Sequence, residues 1–226
     1  RLVHLPMTKL TERLKEEAGA QWMKIVSHPF TDALANGSIN KDAIKFYLIQ
    51  DHRFLDNFVI LLSSMISHAP TLQDRIPGCQ FLAMITGKEN TYFERSFEAL
   101  GVGEKQRCET PNSSATNGFM NLMLQTARSG RYEEMLSMLV VAEWSYLSWA
   151  ARVKGGRKSD IPFWCDEWID LHCGEYFENV VSYLRGLLDK AGETMDDESY
   201  ARCKQTFLKA VDLEVEFFDQ AWSLHK

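Results

Sequence analysis

Apolar residues recur at three- and four-residue steps along almost the whole chain, and strand-like alternation is nearly absent. From Thr8 to Val26 the repeat reads Leu10, Leu14, Ala18, Trp22 and Ile25, with Glu16 and Glu17 ahead of Lys24, an order that suits a helix macrodipole. His28-Pro29 interrupts it, because the residue before proline is pushed out of the α region. A short helix is predicted from there to Asn36-Gly37, a C-cap signal. Asn40 is the predicted N-cap of a long aromatic helix that reaches about His68. Further helices are predicted from Leu72 to Ile85 and, past a break or kink at Gly87, from Glu89 to Leu100. Residues 104–114 are polar and read as a loop. Helices follow from Ala115 to Arg128, from Tyr132 to Lys154, from Phe163 to Ala191 with a kink at Gly174, and from Met195 to His225. About eight helices with short connections, and no composition break between them, predict one all-α domain over residues 1–226, a helical bundle with a ligand site in its core.

The helix from Tyr132 to Lys154 contains the most apolar stretch, Met138 to Ala150, and Glu143 sits near its middle with no Lys or Arg within four residues. A buried unpaired carboxylate is costly and shifts its pKa. Tyr146 shares its face at i,i+3, so this stretch is expected to form the floor of a pocket. A formal net charge of -6 argues against nucleic acid as a partner. Five widely spaced cysteines without a CxxC suggest reduced thiols in a cytoplasmic protein, not a disulfide framework or a zinc site. No apolar run is long enough to span a membrane. The chain opens on Arg1 with no secretory signal pattern, and the natural start is expected to lie upstream.

Two more carboxylates share aromatic helical faces. Asp51 lies with Tyr47, Phe54 and Phe58, and Glu214 lies with Phe217 and Phe218. Such groups either pair with a cation, face water, or carry raised pKa values suited to acid–base work. They also suit a flat nitrogen-rich ring, with aromatics stacking on it and carboxylates accepting its N–H groups. Only one of Glu214 and Glu216 can point inward. Glu89, Glu143 and His172 are candidate ligands of a carboxylate-bridged di-iron centre. Each lacks the Glu-x-x-His partner such bundles need, so no metal and no cofactor is expected. No nucleophile elbow, phosphate loop or dinucleotide fingerprint occurs.

Four pieces, His28-Pro29-Phe30, Gln50-Asp51-His52-Arg53-Phe54, Trp168-Ile169-Asp170-Leu171-His172 and Leu213-Glu214-Val215-Glu216-Phe217-Phe218-Asp219, in this order on a helical chain, resemble the TenA/thiaminase II family over nearly the full length. The resemblance implies a haem-oxygenase-like bundle, a homodimer or homotetramer, and a pocket for the aminopyrimidine half of thiamine. It implies that Asp51 holds the amino group and a ring nitrogen. Glu214 is implied as the acid–base residue, and Phe54 and Phe119 as rings flanking the substrate. Tyr146 matches a tyrosine near the catalytic centre, and His172 stands where many members have tyrosine. The thiaminase branch has a nucleophilic cysteine four residues before that tyrosine, and here the position is Ala142. Without a thiolate, covalent addition to the ring is unavailable. The resemblance is therefore to the glutamate-type branch. It implies hydrolysis of 4-amino-5-aminomethyl-2-methylpyrimidine or its N-formyl derivative, with Glu143 and Glu214 dividing the acid and base roles. The alternatives are a non-catalytic pyrimidine-binding or regulatory protein, and cleavage of thiamine itself.

Overall fold

The computed structural model describes residues 8–225, and among them no strand forms. The helices in chain order are α1 (Leu10–Ala18), α2 (Ala20–Val26), α3 (Pro29–Asn36), α4 (Lys41–His68), α5 (Leu72–Met84), α6 (Asn90–Leu100), α7 (Glu104–Glu109), α8 (Ser114–Arg128), α9 (Tyr132–Lys154), α10 (Phe163–Leu171), α11 (Glu175–Gly192) and α12 (Asp197–Trp222). A π-helical turn, Ile85–Glu89, joins α5 to α6. The first part of the predicted domain, residues 1–7, and residue 226 lie outside the described residues.

Helix α9 is the axis of the bundle. Met135 to Val141 are buried without a break. A helix that is apolar on every side belongs inside a bundle. It packs against α12, α11, α4, α2, α3 and α8, and α4 in turn packs along α8 and α5. Side-chain caps mark the starts of several helices. Asn40 Oδ1 accepts from the Ala43 amide at 2.8 Å, Ser113 Oγ from Thr116 at 3.1 Å, and Asp196 Oδ1 from Ser199 at 2.7 Å.

His28 caps α3 with its ring: Nδ1 accepts from the Phe30 amide at 3.1 Å. That bond fixes the proton on Nε2, which donates to Asp219 on α12 at 3.2 Å. Phe30 then packs on Tyr47 and Phe218, with ring centroids 4.6 and 5.5 Å away. The His28-Pro29-Phe30 motif is thus a tie between α3, α4 and α12.

The structure departs from the sequence reading in four places. The helix expected from Thr8 to Val26 starts at Leu10 and is broken at Gly19, whose φ of +52° only glycine adopts at little cost. Gly87 is no break: it lies inside the π turn, and helical backbone runs on from α5 into α6. The polar stretch 104–114 contains the short helix α7. Finally, the helix expected from Phe163 to Ala191 is two helices. The backbone turns at His172–Gly174, where Gly174 takes φ +90°.

Candidate active site

A cavity opens between α4, α5, the π turn, α6, α8, α9, α10 and α12. All seven site residues expected from the sequence line it: Asp51 and Phe54 from α4, Phe119 from α8, Glu143 and Tyr146 from α9, His172 from the end of α10, and Glu214 from α12. Ala142, at the position of the absent cysteine, lines it too.

The Gln50–Phe54 motif divides into holding and facing residues. Gln50 is fully buried: its Nε2 donates to the Pro111 carbonyl at 2.9 Å, and its Oε1 accepts from the Ser113 amide at 3.0 Å and from Thr116 Oγ1 at 2.7 Å. Arg53 donates to Asn112 Oδ1 at 2.8 Å and to the Arg107 carbonyl. His52 meets Asn90 Oδ1 at 3.1 Å. These three side chains pin the 104–113 segment and the start of α6 to α4. Asp51 and Phe54, on the remaining face, are left to the cavity.

Phe54 and Phe119 form an aromatic wall with ring centroids 5.4 Å apart, and Phe217 packs against both. Opposite Glu214, the neighbouring Glu216 turns outward, accepting from Ser114 Oγ and, at 2.9 Å, from Gln220 Nε2. Of the two acids, Glu214 is therefore the inward one.

A hydrogen-bond chain aims Tyr146. Trp168 Nε1–H donates to the Tyr47 hydroxyl at 3.1 Å, and the Tyr47 and Tyr146 hydroxyls stand 2.8 Å apart. Tyr47 has no exposed surface, so its own proton must go to Tyr146 for every buried group to be satisfied. The Tyr146 proton is then free to point at an occupant of the cavity. His172 is set by a similar rule. Its Nδ1 lies 2.8 Å from the Trp168 carbonyl, which can only accept, so Nδ1 carries the proton and Nε2 keeps its lone pair. Burial pushes the His172 pKa down to about 4, leaving a neutral ring.

Four carboxylates line this one cavity: Asp51, Glu89, Glu143 and Glu214. Among the described residues none of them has a protein hydrogen-bond partner or a cation, and no Lys or Arg lines the cavity. All four pKa values rise. Burial is the main cause for each. The Glu89 charge adds to the rise at Asp51, those of Glu89 and Asp51 at Glu143, and those of Asp51 and Glu143 at Glu214. Glu89 reaches about 7 through burial alone. Among the described residues no group of three or more His, Cys, Asp or Glu side chains is arranged to hold a metal ion.

Glu89 is the cavity residue that the sequence reading left without a binding role. The signal for it is spacing: Phe81, Ile85, Glu89 and Phe93 all line the cavity at steps of four. In a regular α-helix each such step overshoots a turn by about 40°, so three of them drift by roughly 120°. The π turn, with more residues per turn, takes back part of that drift and keeps the stripe facing inward. The aromatic wall at Trp168 and the apolar Leu55, Phe58 and Met123 were likewise not singled out as lining.

Comparison with known proteins places this geometry in context. A family model described as the TENA/THI-4/PQQC family matches residues 16–224. A protein named aminopyrimidine aminohydrolase from Halalkalibacterium halodurans is 25% identical over 211 residues, covering 93% of this chain and 94% of that protein. One of the same name from Bacillus subtilis is 23% identical, with 95% and 90% covered. Among solved structures, a TenA homologue from Pyrococcus furiosus superposes with a TM-score of 0.83 at 22% identity, covering 94% of this chain and 99% of that one. A domain with a haem-oxygenase-like fold from Shewanella denitrificans gives 0.70 at 13% identity, with 94% and 92% covered. The bundle is thus haem-oxygenase-like, as the family resemblance implied.

Proposed function

This chain belongs to the TENA/THI-4/PQQC family, and from that premise we propose that it is an aminopyrimidine hydrolase of thiamine salvage. Its substrate is 4-amino-5-aminomethyl-2-methylpyrimidine or the N-formyl derivative. The observation that carries the reading is the convergence of Asp51, Glu143 and Glu214, all without protein partners, on one cavity walled by Phe54 and Phe119.

The pyrimidine ring lies against the Phe54 and Phe119 rings. Burial raises the Asp51 pKa and so favours its protonated form, which presents one O–H donor and one carbonyl acceptor. That pair is complementary to a ring nitrogen beside an exocyclic amino N–H. Tyr146 donates to the occupant and His172 Nε2 accepts. In the hydrolysis, the oxygen of water bonds to the exocyclic methylene carbon as the C–N bond breaks. One of Glu143 and Glu214 takes the proton from water and the other supplies a proton to the departing nitrogen. The products are the hydroxymethylpyrimidine and ammonia, or formamide from the formylated substrate. Two carboxyls with raised pKa values fit this division, because one must start protonated. With Ala142 where the thiaminase branch carries its nucleophile, no covalent adduct forms on that residue, which disfavours thiamine itself as substrate.

The same reading takes residues 1–226 as a single domain and places the protein in the cytoplasm as a homodimer or homotetramer. No helix among the described residues is long and apolar enough to cross a membrane, and all five cysteines are free. Exposed Ile60, Leu72 and Ile76 on the adjacent α4 and α5 supply apolar surface for self-association.

The test is direct. Purified protein is incubated separately with the aminomethyl and formylaminomethyl pyrimidines and with thiamine, and hydroxymethylpyrimidine is followed by chromatography. Turnover of either pyrimidine, with little from thiamine, is the expected result. Tight binding of both pyrimidines without product overturns the enzyme reading in favour of a binding protein.

A further inference from the structure

The hydrolysis derived above uses Asp51, Glu143 and Glu214 and leaves Glu89 idle. Yet Glu89 interrupts an otherwise apolar stripe, between Ile85 and Phe93, and a π turn keeps it facing the cavity. An acid in such a place lowers stability, and a Leu or Met there has no such cost. Its presence calls for something that arrives with the ligand.

The polar groups of the cavity say what that is. With Asp51 committed to the ring, those left for the exocyclic group are mostly acceptors: the carboxylates of Glu89, Glu143 and Glu214 and the lone pair of His172 Nε2, against one fixed donor, the Tyr146 hydroxyl. Asp51 and Glu214 are more than nine-tenths buried and have no protein partner. A neutral formamide nitrogen offers one N–H and brings a carbonyl that needs a donor of its own. A protonated primary amine offers three N–H groups and a positive charge, and needs no donor. We propose that Glu89, together with Glu143, forms a cation subsite that makes the protonated aminomethyl pyrimidine, and not its neutral N-formyl derivative, the preferred substrate. This rests on the hydrolase reading and narrows it. Glu89 acts in binding and selection, holding the ammonium group beside Glu143 and Glu214, and takes no part in bond breaking. On this substrate the C–N bond breaks to release ammonia directly from the ammonium group, so one of those two carboxylates need only take the proton from water. Placing a cation among these acids also relieves their mutual repulsion, which is the second reason the amine is favoured.

The experiment compares kcat and KM for the aminomethyl and formylaminomethyl pyrimidines in the wild type, Glu89→Gln and Glu89→Asp. Gln is close to isosteric and removes only the charge. The wild type should prefer the amine. Glu89→Gln should lower kcat/KM for the amine by roughly ten- to a hundredfold, chiefly through KM, the range expected for a lost bond to a charged group. The preference over the formamide should collapse with it, and Glu89→Asp should restore part of it. A wild type that prefers the formamide, or a Glu89→Gln variant with an unchanged preference, overturns the proposal. If the wild type turns over neither compound, the hydrolase reading fails separately. The subsite is then judged by calorimetry with the aminomethyl and the neutral hydroxymethyl pyrimidine. Tighter binding of the amine that is lost in Glu89→Gln supports the subsite, and equal wild-type affinities overturn it.

Discussion

Toward one end of α9, Glu134 is buried and well paired. Its carboxylate accepts from Arg202 Nε at 2.9 Å and lies 3.6 Å from Arg131. Further along the same helix Glu143 faces the cavity with no cation, and its nearest charged neighbours are other acids. Helix α12 repeats the contrast within one turn: Glu216 is bonded by Ser114 and Gln220, whereas Glu214 has no protein partner. The fold is therefore able to satisfy an inward carboxylate and does so away from the cavity. Where it does not, a stability cost is retained, and the groups that bear it are those a reaction can use.

The largest effect that separates the two classes is on turnover. Glu214→Gln keeps the shape of the side chain but cannot carry the proton. It should lower kcat by roughly 10²- to 10⁴-fold, the usual share of a positioned acid or base. Pyrimidine affinity, measured by calorimetry, should stay close to wild type. Glu216→Gln, two residues along the same helix but outside the cavity, should leave kcat alone. If the two variants lose activity equally, the division into free and paired carboxylates is wrong.

The second effect is on stability against pH. A carboxyl whose folded pKa is raised binds its proton more tightly when folded, so its penalty is absent below the unfolded value and complete above the folded one. For Glu89 these limits are 4.5 and about 7. Unfolding free energies of wild type and Glu89→Gln should therefore agree near the lower limit. The variant should gain stability as pH rises through the window, by at most roughly 3 kcal/mol. His172 works in the opposite direction. Its folded pKa of about 4 lies below the ordinary 6.5, so stability is lost as pH falls through that interval. Subtracting the variant from wild type cancels that contribution. Denaturant melts at several pH values read the difference, and a difference constant with pH shows that Glu89 does not titrate in this window.

The third concerns Asp51. Asp51→Ala removes both the donor and the acceptor facing the pyrimidine and should weaken binding roughly ten- to a hundredfold. Asp51→Asn keeps one donor and one acceptor, so its affinity should fall far less than that of the alanine variant. An asparagine variant as weak as alanine would mean that the ionised carboxylate, not the neutral acid, meets the ring.

Much of this arrangement is legible in the sequence alone. The bounds of α9 and the Asn40 cap of α4 followed from periodicity and capping chemistry, because both helices are long and their faces strongly patterned. Asp51, Glu143, Tyr146 and Glu214 are legible from local spacing, on helical faces shared with aromatics, whereas Phe119 and the substrate roles of Phe54 and His172 come from the family resemblance alone; all seven line one cavity. What spacing does not record is a change of helical pitch. Gly87 reads as a break or kink in sequence, yet tertiary packing carries the helix through it as a π turn, so Glu89 looked like a residue with a missing metal partner and not like a cavity wall. The division of the helix expected over Phe163 to Ala191 was hidden for a related reason. A glycine kink and a glycine reversal look alike until φ is known, and here the reversal leaves His172 at the C-cap of α10, facing the cavity.

The smallest effect returns to α9 and is measured on stability alone. Glu134→Ala removes the more buried of the two carboxylates that Arg202 meets, leaving it Glu198 and Ser199 at the helix surface. Because Arg202 keeps some contact with water, the loss should be about 1–2 kcal/mol, less than for a fully buried pair. Glu143→Gln is a change of the same charge on the same helix and should go the other way. It removes a carboxylate repelled by Glu89 and Asp51, so chemical denaturation at neutral pH should show stability unchanged or raised. Equal destabilisation by the two substitutions would show that Glu143 has a partner the cavity geometry does not reveal. Opposite signs would separate a carboxylate kept for the fold from one kept for the ligand.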